Sequence, residues 1–273
     1  MMAIDFIEHY QYVAYPINGS RSGVIYSDDH GATWEYGGAT QINMTNNEVC
    51  DSPVPSAPSS WLSARGATQA TVSELGDGTV ILNSRNYLGK SHYGINYPYG
   101  SSAAQWDHPV HRGLSFSSTA GDSFSDTYHA PDLIEPVCEG SMITGWTTPA
   151  ALGVVGNGTL FFTNPTASFE RANLTLKMST DRGCRWSTVL RLNNGTSMYS
   201  SMVQFSDGQI GVAFDDGSDI TCPPNAACKL KRLAQSESAR FLRLTNMSST
   251  VRRLRAQQRN VQAHPAAPPL QER

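Results

Sequence analysis

An antiparallel all-β fold is predicted for this chain by three features. Short runs alternate apolar with polar residues, Gly-containing turn dipeptides separate them, and one turn motif recurs along the chain. The runs are, in order, "SGVIYS" (22–27), "GTVILNSR" (78–85), "RGLSFS" (112–117), "GTLFFTN" (158–164), "NLTLKMS" (173–179), "STVLRL" (187–192) and "QIGVAF" (209–214). Each is rich in the β-branched and aromatic residues that suit a pleated, half-buried surface. The punctuation is "NG", "DG" and "GG", and no helical period persists through the first 220 residues. "ATVSELGDGTVILNSRN" reads as a β-hairpin around its Asp-Gly turn.

The recurring motif decides the architecture. "SDDHGATW" (Ser27 to Trp34) and "STDRGCRW" (Ser179 to Trp186) share the frame S-x-D-x-G-x-x-W, and "SSTAGDSF" (Ser117 to Phe124) is a worn copy with Thr119 for Asp and Phe for Trp. The frame suits a tight turn. The Asp carboxylate accepts backbone N–H groups, Gly takes the φ > 0 position, and the ring packs against a strand. Asp29 and Asp181 are therefore read as structural, not catalytic. The copies begin 90 and 62 residues apart, and leaving out the 21 residues 49–69 brings the first spacing to 69. Radial repetition of four-stranded sheets, a β-propeller, is the architecture such spacing predicts.

Bulk properties narrow the function. With 273 residues, 39% hydrophobic content and a net charge of −3, the chain can bury a sizeable core and has no electrostatic case for nucleic acid. No apolar run approaches the roughly 18 residues of a membrane span. The opening "MMAIDFIEHYQYVAY" lacks the basic and apolar regions of a signal peptide, so the chain is expected to be cytosolic or to begin downstream of its true start. Asn-x-Ser/Thr acceptors at Asn18, Asn43, Asn157, Asn173, Asn194 and Asn246 point the other way, toward a lumenal or secreted relative. The five cysteines show no zinc spacing, and "TCPPNAAC" suits either a small Cys222–Cys228 loop or two free thiols. "HPVH" (108–111) reads as loop histidines, so neither metal nor cofactor is expected.

The ordered series "SDDHGATW", "SELGDGTVILNSRN", "LIEPVCEGSMI", "NPTASFERANLTLKMSTDRG" and "MYSSMVQFSDGQIGVAF" resembles successive blades of the sialidase (neuraminidase) family with Asp-box repeats, in its lysosomal sialidase-like branch. The resemblance runs from about Gly23 to Asp216 and implies a six-bladed propeller, of which about four blades are present. It also implies hydrolysis of terminal sialic acids with retention. Three arginines grip the sugar carboxylate, a Tyr–Glu pair supplies the nucleophile, and an Asp serves as acid/base. The chemistry is intelligible. The anomeric carbon carries a carboxylate that repels an anionic nucleophile, whereas a phenol is neutral but needs a carboxylate to take its proton. The handling of sialic acid by tyrosine is a recognised exception to two-carboxylate glycosidase chemistry. Arginine suits the clamp because its fork is bidentate and always charged.

Carried onto matching positions, the resemblance makes Tyr199 in "MYSSM" the nucleophile, and Arg85 in "LNSRN" and Arg171 in "FERANLTL" two carboxylate-binding arginines. Arg182 is excluded by its place in the turn motif. The family's base stands five residues before the Glu of the "EL-DG" hairpin. Here that position is Gln69, which cannot accept a proton, and Glu74 itself would face the other side of the strand. If residues 49–69 are an insertion, the flanks join as "TNNE–ATVSELGDG", and Glu48, after Asn47, takes the base's place. The family's first arginine and acid/base Asp have no matching motif; Asp5 and Arg21 are candidates by type only. Phe214-Asp215 stands where the family has Tyr-Glu, and Glu139 receives no role.

The expected organisation is a partial propeller over 1–225 with the insertion 49–69, then a basic tail over 226–273 read as a frayed helix from about Lys231 followed by disorder. The expected partner is a sialylated glycan, with neither nucleic acid nor membrane. Exo-sialidase chemistry with little or no turnover in this chain is the leading expectation. A non-catalytic glycan-binding propeller and a purely structural one are the alternatives.

Overall fold

The computed structural model describes residues 1–6, 21–40, 50, 67–86, 110–145, 159–167, 171–205, 209–216 and 239–244. They form antiparallel strands: β1 (Met2–Phe6), β2 (Arg21–Tyr26), β3 (Glu35–Ala39), β4 (Ala67–Glu74), β5 (Val80–Asn86), β6 (Val110–Ser117), β7 (Tyr128–Glu135), β8 (Ser141–Thr144), β9 (Leu160–Pro165), β10 (Leu174–Ser179), β11 (Ser187–Arg191), β12 (Ser200–Gln204), β13 (Ile210–Asp215) and β14 (Ala239–Leu244). Four meandering sheets result, ordered β1-β2-β3, β4-β5-β6-β7, β8-β9-β10-β11 and β12-β13-β14. This is the all-β, blade-by-blade arrangement that the repeat spacing predicts. In the two four-stranded sheets the repeated turn joins the last two strands, so β1–β3 correspond to the outer three strands of a blade and β12–β14 to the inner three.

The three repeated turns share one hydrogen-bond scheme. In the first, Asp29 Oδ1 accepts from the Thr33 N–H at 2.8 Å and from the Ser27 hydroxyl at 2.8 Å, while Ser27 Oγ accepts from the Gly31 N–H at 2.7 Å. The Thr33 hydroxyl, which donates to Asp29 Oδ2 at 2.6 Å, followed by the Thr33 N–H and the Ser27 hydroxyl, holds the Asp29 carboxyl down at about 2. The third repeats the pattern with Ser179, Asp181, Gly183 and Arg185. In the worn copy the Thr119 hydroxyl replaces the carboxylate and accepts from the Ser123 N–H at 3.0 Å. Two consecutive residues take positive φ in every copy: His30–Gly31, Ala120–Gly121 and Arg182–Gly183. The expected glycine conformation is present, and the residue before it shares it. Phe124 and Trp186 are buried between sheets, whereas Trp34 is 46% exposed.

Three apolar clusters fill the seams. Val24 and Phe124 meet Val80 and Leu82 between the first two sheets. Ile81, Leu114 and Leu133 meet Leu160, Phe162 and Trp186 between the second and third. Phe161, Leu174 and Met178 meet Ile210, Val212 and Phe214 between the third and fourth. Neighbours therefore face opposite seams, Ile81 against Leu82 and Phe161 against Phe162, as the period of two requires. Within the ring the first strands are joined by small hydroxyls. Met142 N–H donates to Thr71 Oγ1 at 3.1 Å, Thr144 Oγ1 to the Glu74 carbonyl at 2.6 Å, and Met202 N–H to Ser141 Oγ at 3.0 Å.

Gly140, just before β8, lies against Phe162; a Cβ there would sit 2.5 Å from its ring and 2.8 Å from the Thr163 carbonyl. Gly140→Ala is expected to destabilise by about 1–3 kcal/mol through overpacking, read as a lower urea midpoint at unchanged slope.

Three expectations need correction. The tail is not simply a frayed helix, because Ala239–Leu244 forms β14 and pairs along β13 from Ile210↔Leu244 to Asp215↔Ala239. The open edge of β13 outweighs the arginine-rich composition that suggested a helix. β4 begins at Ala67, so the last three residues of the expected insertion lie inside the strand, ahead of a bulge between Thr68 and Thr71. His111 belongs to β6 and not to a loop. Cys50 is bonded to Cys184 across 134 residues of sequence, a pairing the sequence did not suggest. Cys222 and Cys228 lie outside the described residues.

Candidate functional site

The chain's turns sort to two ends of the sheets. The β4–β5 turn and the repeated turns occupy one; the turn 136–140 between β7 and β8 and the turn 192–199 between β11 and β12, with the last residues of β5 and β9, occupy the other. Arg85 is the penultimate residue of β5, Arg171 precedes β10 and Tyr199 precedes β12, so these three of the four expected site residues lie at this second end. Arg182 lies at the first, paired with Asp77 at 3.2 Å, which agrees with its exclusion.

Arg171 and Tyr199 meet directly. The guanidinium donates to the Tyr199 hydroxyl at 3.4 Å, and its carbon lies 5.6 Å from the ring centroid, within cation–π range. It also donates to the Val137 carbonyl at 3.2 Å and approaches Met198 Sδ at 3.4 Å. Behind it, the Arg171 carbonyl accepts from the Ser197 N–H at 2.8 Å. Two segments far apart in sequence are thus stitched together by backbone before their side chains touch. Tyr199 is 37% exposed, enough for its hydroxyl end to meet a ligand.

Arg85 is buried to 4% and donates to the Gln69 side-chain carbonyl. The hairpin register pairs Thr68 with Arg85, and Gln69 adopts φ +44 within the bulge. Gln69, not an acid, therefore holds the strand position five residues before Glu74. Glu48 lies outside the described residues. Asp5 and Arg21 sit on paired strands, with Asp5 opposite Ser22 and Arg21 opposite Phe6, at the same end of the sheets as Arg85.

Between the arginines stands a group that sequence reasoning missed. Cys138, in the turn between β7 and β8, is fully buried and donates its thiol to the Met198 carbonyl at 2.9 Å. Burial raises its pKa to about 11, against the opposing pull of the Arg171 and Arg85 charges. Beneath it, Arg112 and Glu135 form an ion pair at 2.8 Å with neither side chain exposed. Arg112 was passed over because its run, "RGLSFS", reads only as a strand. Nothing in the run marks that arginine as buried before its strand is packed, since arginines are mostly exposed. No cluster of His, Cys, Asp or Glu among the described residues is arranged to hold a metal ion.

Comparison with known proteins bears on the family and the fold. Residues 13–212 match the family described as BNR repeat-like domain. A sialidase of Micromonospora viridifaciens is 26% identical over 196 residues, covering 72% of this chain and 24% of that protein. A sialidase of Bacteroides fragilis is 24% identical over 214 residues, covering 77% and 30%. The chain therefore spans about a quarter to a third of the curated relatives it matches. Among solved structures, Trypanosoma rangeli sialidase in complex with the inhibitor DANA superposes with a TM-score of 0.51 at 17% identity, over 91% of this chain and 32% of that one. These bacterial and trypanosomal relatives do not support the narrower placement in a lysosomal branch. The matched stretch takes in all three repeated turns together with Arg85, Arg171 and Tyr199, and by it the chain belongs to the BNR repeat-like domain family.

Proposed function

We propose that the second end of the sheets is a sialidase-type site for terminal sialic acid, with Arg85 and Arg171 binding the carboxylate and Tyr199 beneath the anomeric carbon. The observation that carries this reading is the Arg171–Tyr199 contact, 3.4 Å between guanidinium and hydroxyl. A guanidinium so placed grips the sugar's carboxylate, which is attached to the same carbon the phenol oxygen would attack. In the full retaining reaction a carboxylate takes the phenol's proton as the C–O bond forms. An acid protonates the leaving glycosidic oxygen, and water then cleaves the glycosyl–tyrosine bond with the roles reversed.

This chain is expected to bind sialosides with little or no turnover. Gln69 occupies the strand position of the base, and an amide does not accept a proton at neutral pH. Turnover requires Glu48 to supply the carboxylate, which is the enzyme version of the same reading.

Titration with N-acetylneuraminic acid and assay with a fluorogenic α-sialoside separate the alternatives. Binding without turnover is expected. Arg171→Met should weaken binding by about 10- to 100-fold, the worth of a charge-assisted hydrogen bond, and Tyr199→Phe should leave it nearly unchanged. Turnover that vanishes in Tyr199→Phe and in Glu48→Gln would establish the enzyme version. Failure of sialic acid to bind would leave only a structural propeller.

A further inference from the structure

We propose that Arg112 is a positioning residue for the Arg171–Tyr199 pair, acting through the turn of residues 136–140 between β7 and β8. Its side chain is fully buried, and taking a guanidinium out of water is costly unless every donor is matched. Here the donors are matched to two segments, β5 and the end of β7 with the turn that follows it. Nε donates to Asn83 Oδ1 at 2.7 Å and an NH2 to the Asn83 carbonyl at 2.9 Å. NH1 donates to Glu135 at 2.8 Å and to the Cys138 carbonyl at 2.7 Å. The face of the guanidinium lies over Phe162, 5.4 Å from its centroid.

Those partners are the immediate supports of the site. Asn83 stands two residues before Arg85 on the same face of β5. The Cys138 carbonyl held by Arg112 belongs to the residue whose thiol holds the Met198 carbonyl, next to Tyr199. Val137, between Glu135 and Cys138, takes φ +54, unusual for a β-branched residue, and its carbonyl receives Arg171. A strained conformation persists only where its surroundings over-determine it, and Arg112 grips the turn from both sides of Val137. One buried cation thus sets the carbonyl that orients Arg171 and the thiol that anchors Tyr199. Lysine keeps the charge opposite Glu135 but, as a point donor, does not reproduce the fork that spans Asn83 and Cys138.

This assignment rests on the reading of Arg85, Arg171 and Tyr199 as a site, and its test has a readout independent of ligand. Hydrogen exchange by mass spectrometry is measured on the full chain, wild type and Arg112→Lys, with N-acetylneuraminic acid titrated in parallel. Exchange across 136–140 and 196–200 is expected to speed up about tenfold, with β13 unchanged, and affinity to fall about tenfold. Cys138→Ala, which leaves the Arg112–Glu135 pair intact, should speed exchange at 196–200 alone, and Cys138→Ser, which keeps a donor, should restore it. Should Arg112→Lys fail to fold, the Ala and Ser pair at Cys138 carries the test. Unchanged exchange at 196–200 in Cys138→Ala overturns the relay, as does uniform acceleration over all strands in Arg112→Lys. Exchange that responds as described in a protein that binds no sialic acid keeps the positioning role and removes the functional reading instead.

Discussion

Reducing the Cys50–Cys184 disulfide is expected to lower the unfolding free energy by about 4–5 kcal/mol, the largest single loss available to this chain. The two sulfurs join positions 134 residues apart. In the chain-entropy description, a loop of roughly 100 residues restricts the unfolded ensemble by about 4.7 kcal/mol, and the increment with further length is small. Little is lost in the folded state. Cys50 is 2% exposed in the cluster with Leu75, Ile81 and Trp186, and a thiol there is still a small apolar group. The effect therefore acts through the unfolded chain, which expands when released. Denaturant unfolding with and without reductant should show a lower midpoint and a steeper dependence in the reduced protein. The double variant Cys50→Ala/Cys184→Ala should match the reduced form and ignore reductant. Equal midpoints in both conditions would show that the bond does not form or does not constrain the chain.

The segments most legible in the sequence are those buried on both faces. β9 and β10 are buried at every position, and "LFFTN" and "LTLKMS" accordingly read as strands without context. β3, with the sequence EYGGA, offers two glycines and weak alternation; it is a strand because β2 pairs with it, not because of its own preference. β14 was hidden for the same reason, since pairing with β13 is a tertiary fact. The site divides similarly. Tyr199, Arg171 and Arg85 were expected because the runs that carry them resemble the family's motifs, and each of those runs adjoins a strand whose pattern is clear. The contact between Gln69 and Arg85 depends on a bulge that shifts the register by an amount no pattern announces. The buried Arg112–Glu135 pair and the Val137–Cys138 turn were invisible because composition alone does not separate a buried arginine from an exposed one. The disulfide could not be read at all, because cysteine pairing follows the fold.

Acidification from pH 6.5 toward pH 4 is expected to destabilise the protein by several kcal/mol, before the aspartates titrate. His129 on β7 is held neutral. His129 is half-buried, and the desolvation of its ring, reinforced by the neighbouring His111, lowers its pKa from 6.5 to about 3. His111 is lowered as well, first by burial and also by Lys177, which itself is buried and donates to the Asp132 carbonyl. The sign follows from proton counting. Between pH 6.5 and about 3 the unfolded chain binds a proton at His129 that the folded protein excludes, so stability is fully present above pH 6.5 and is lost as the pH falls. A histidine held as far down as His129 contributes a slope of at most about 1.4 kcal/mol per pH unit, or up to roughly 3 kcal/mol by pH 4.5. Asp29, held at about 2, acts in a separate and lower window, from about pH 4 down to 2. The check is thermal unfolding between pH 8 and 4 for the wild type and His129→Gln. The variant keeps a polar side chain without the charge and should lose the histidine's share of the slope while retaining any contribution from His111. A wild-type melting temperature flat across this range would mean that protons reach His129 in the folded state, and that the seam between β6 and β7 is wetter than its burial indicates.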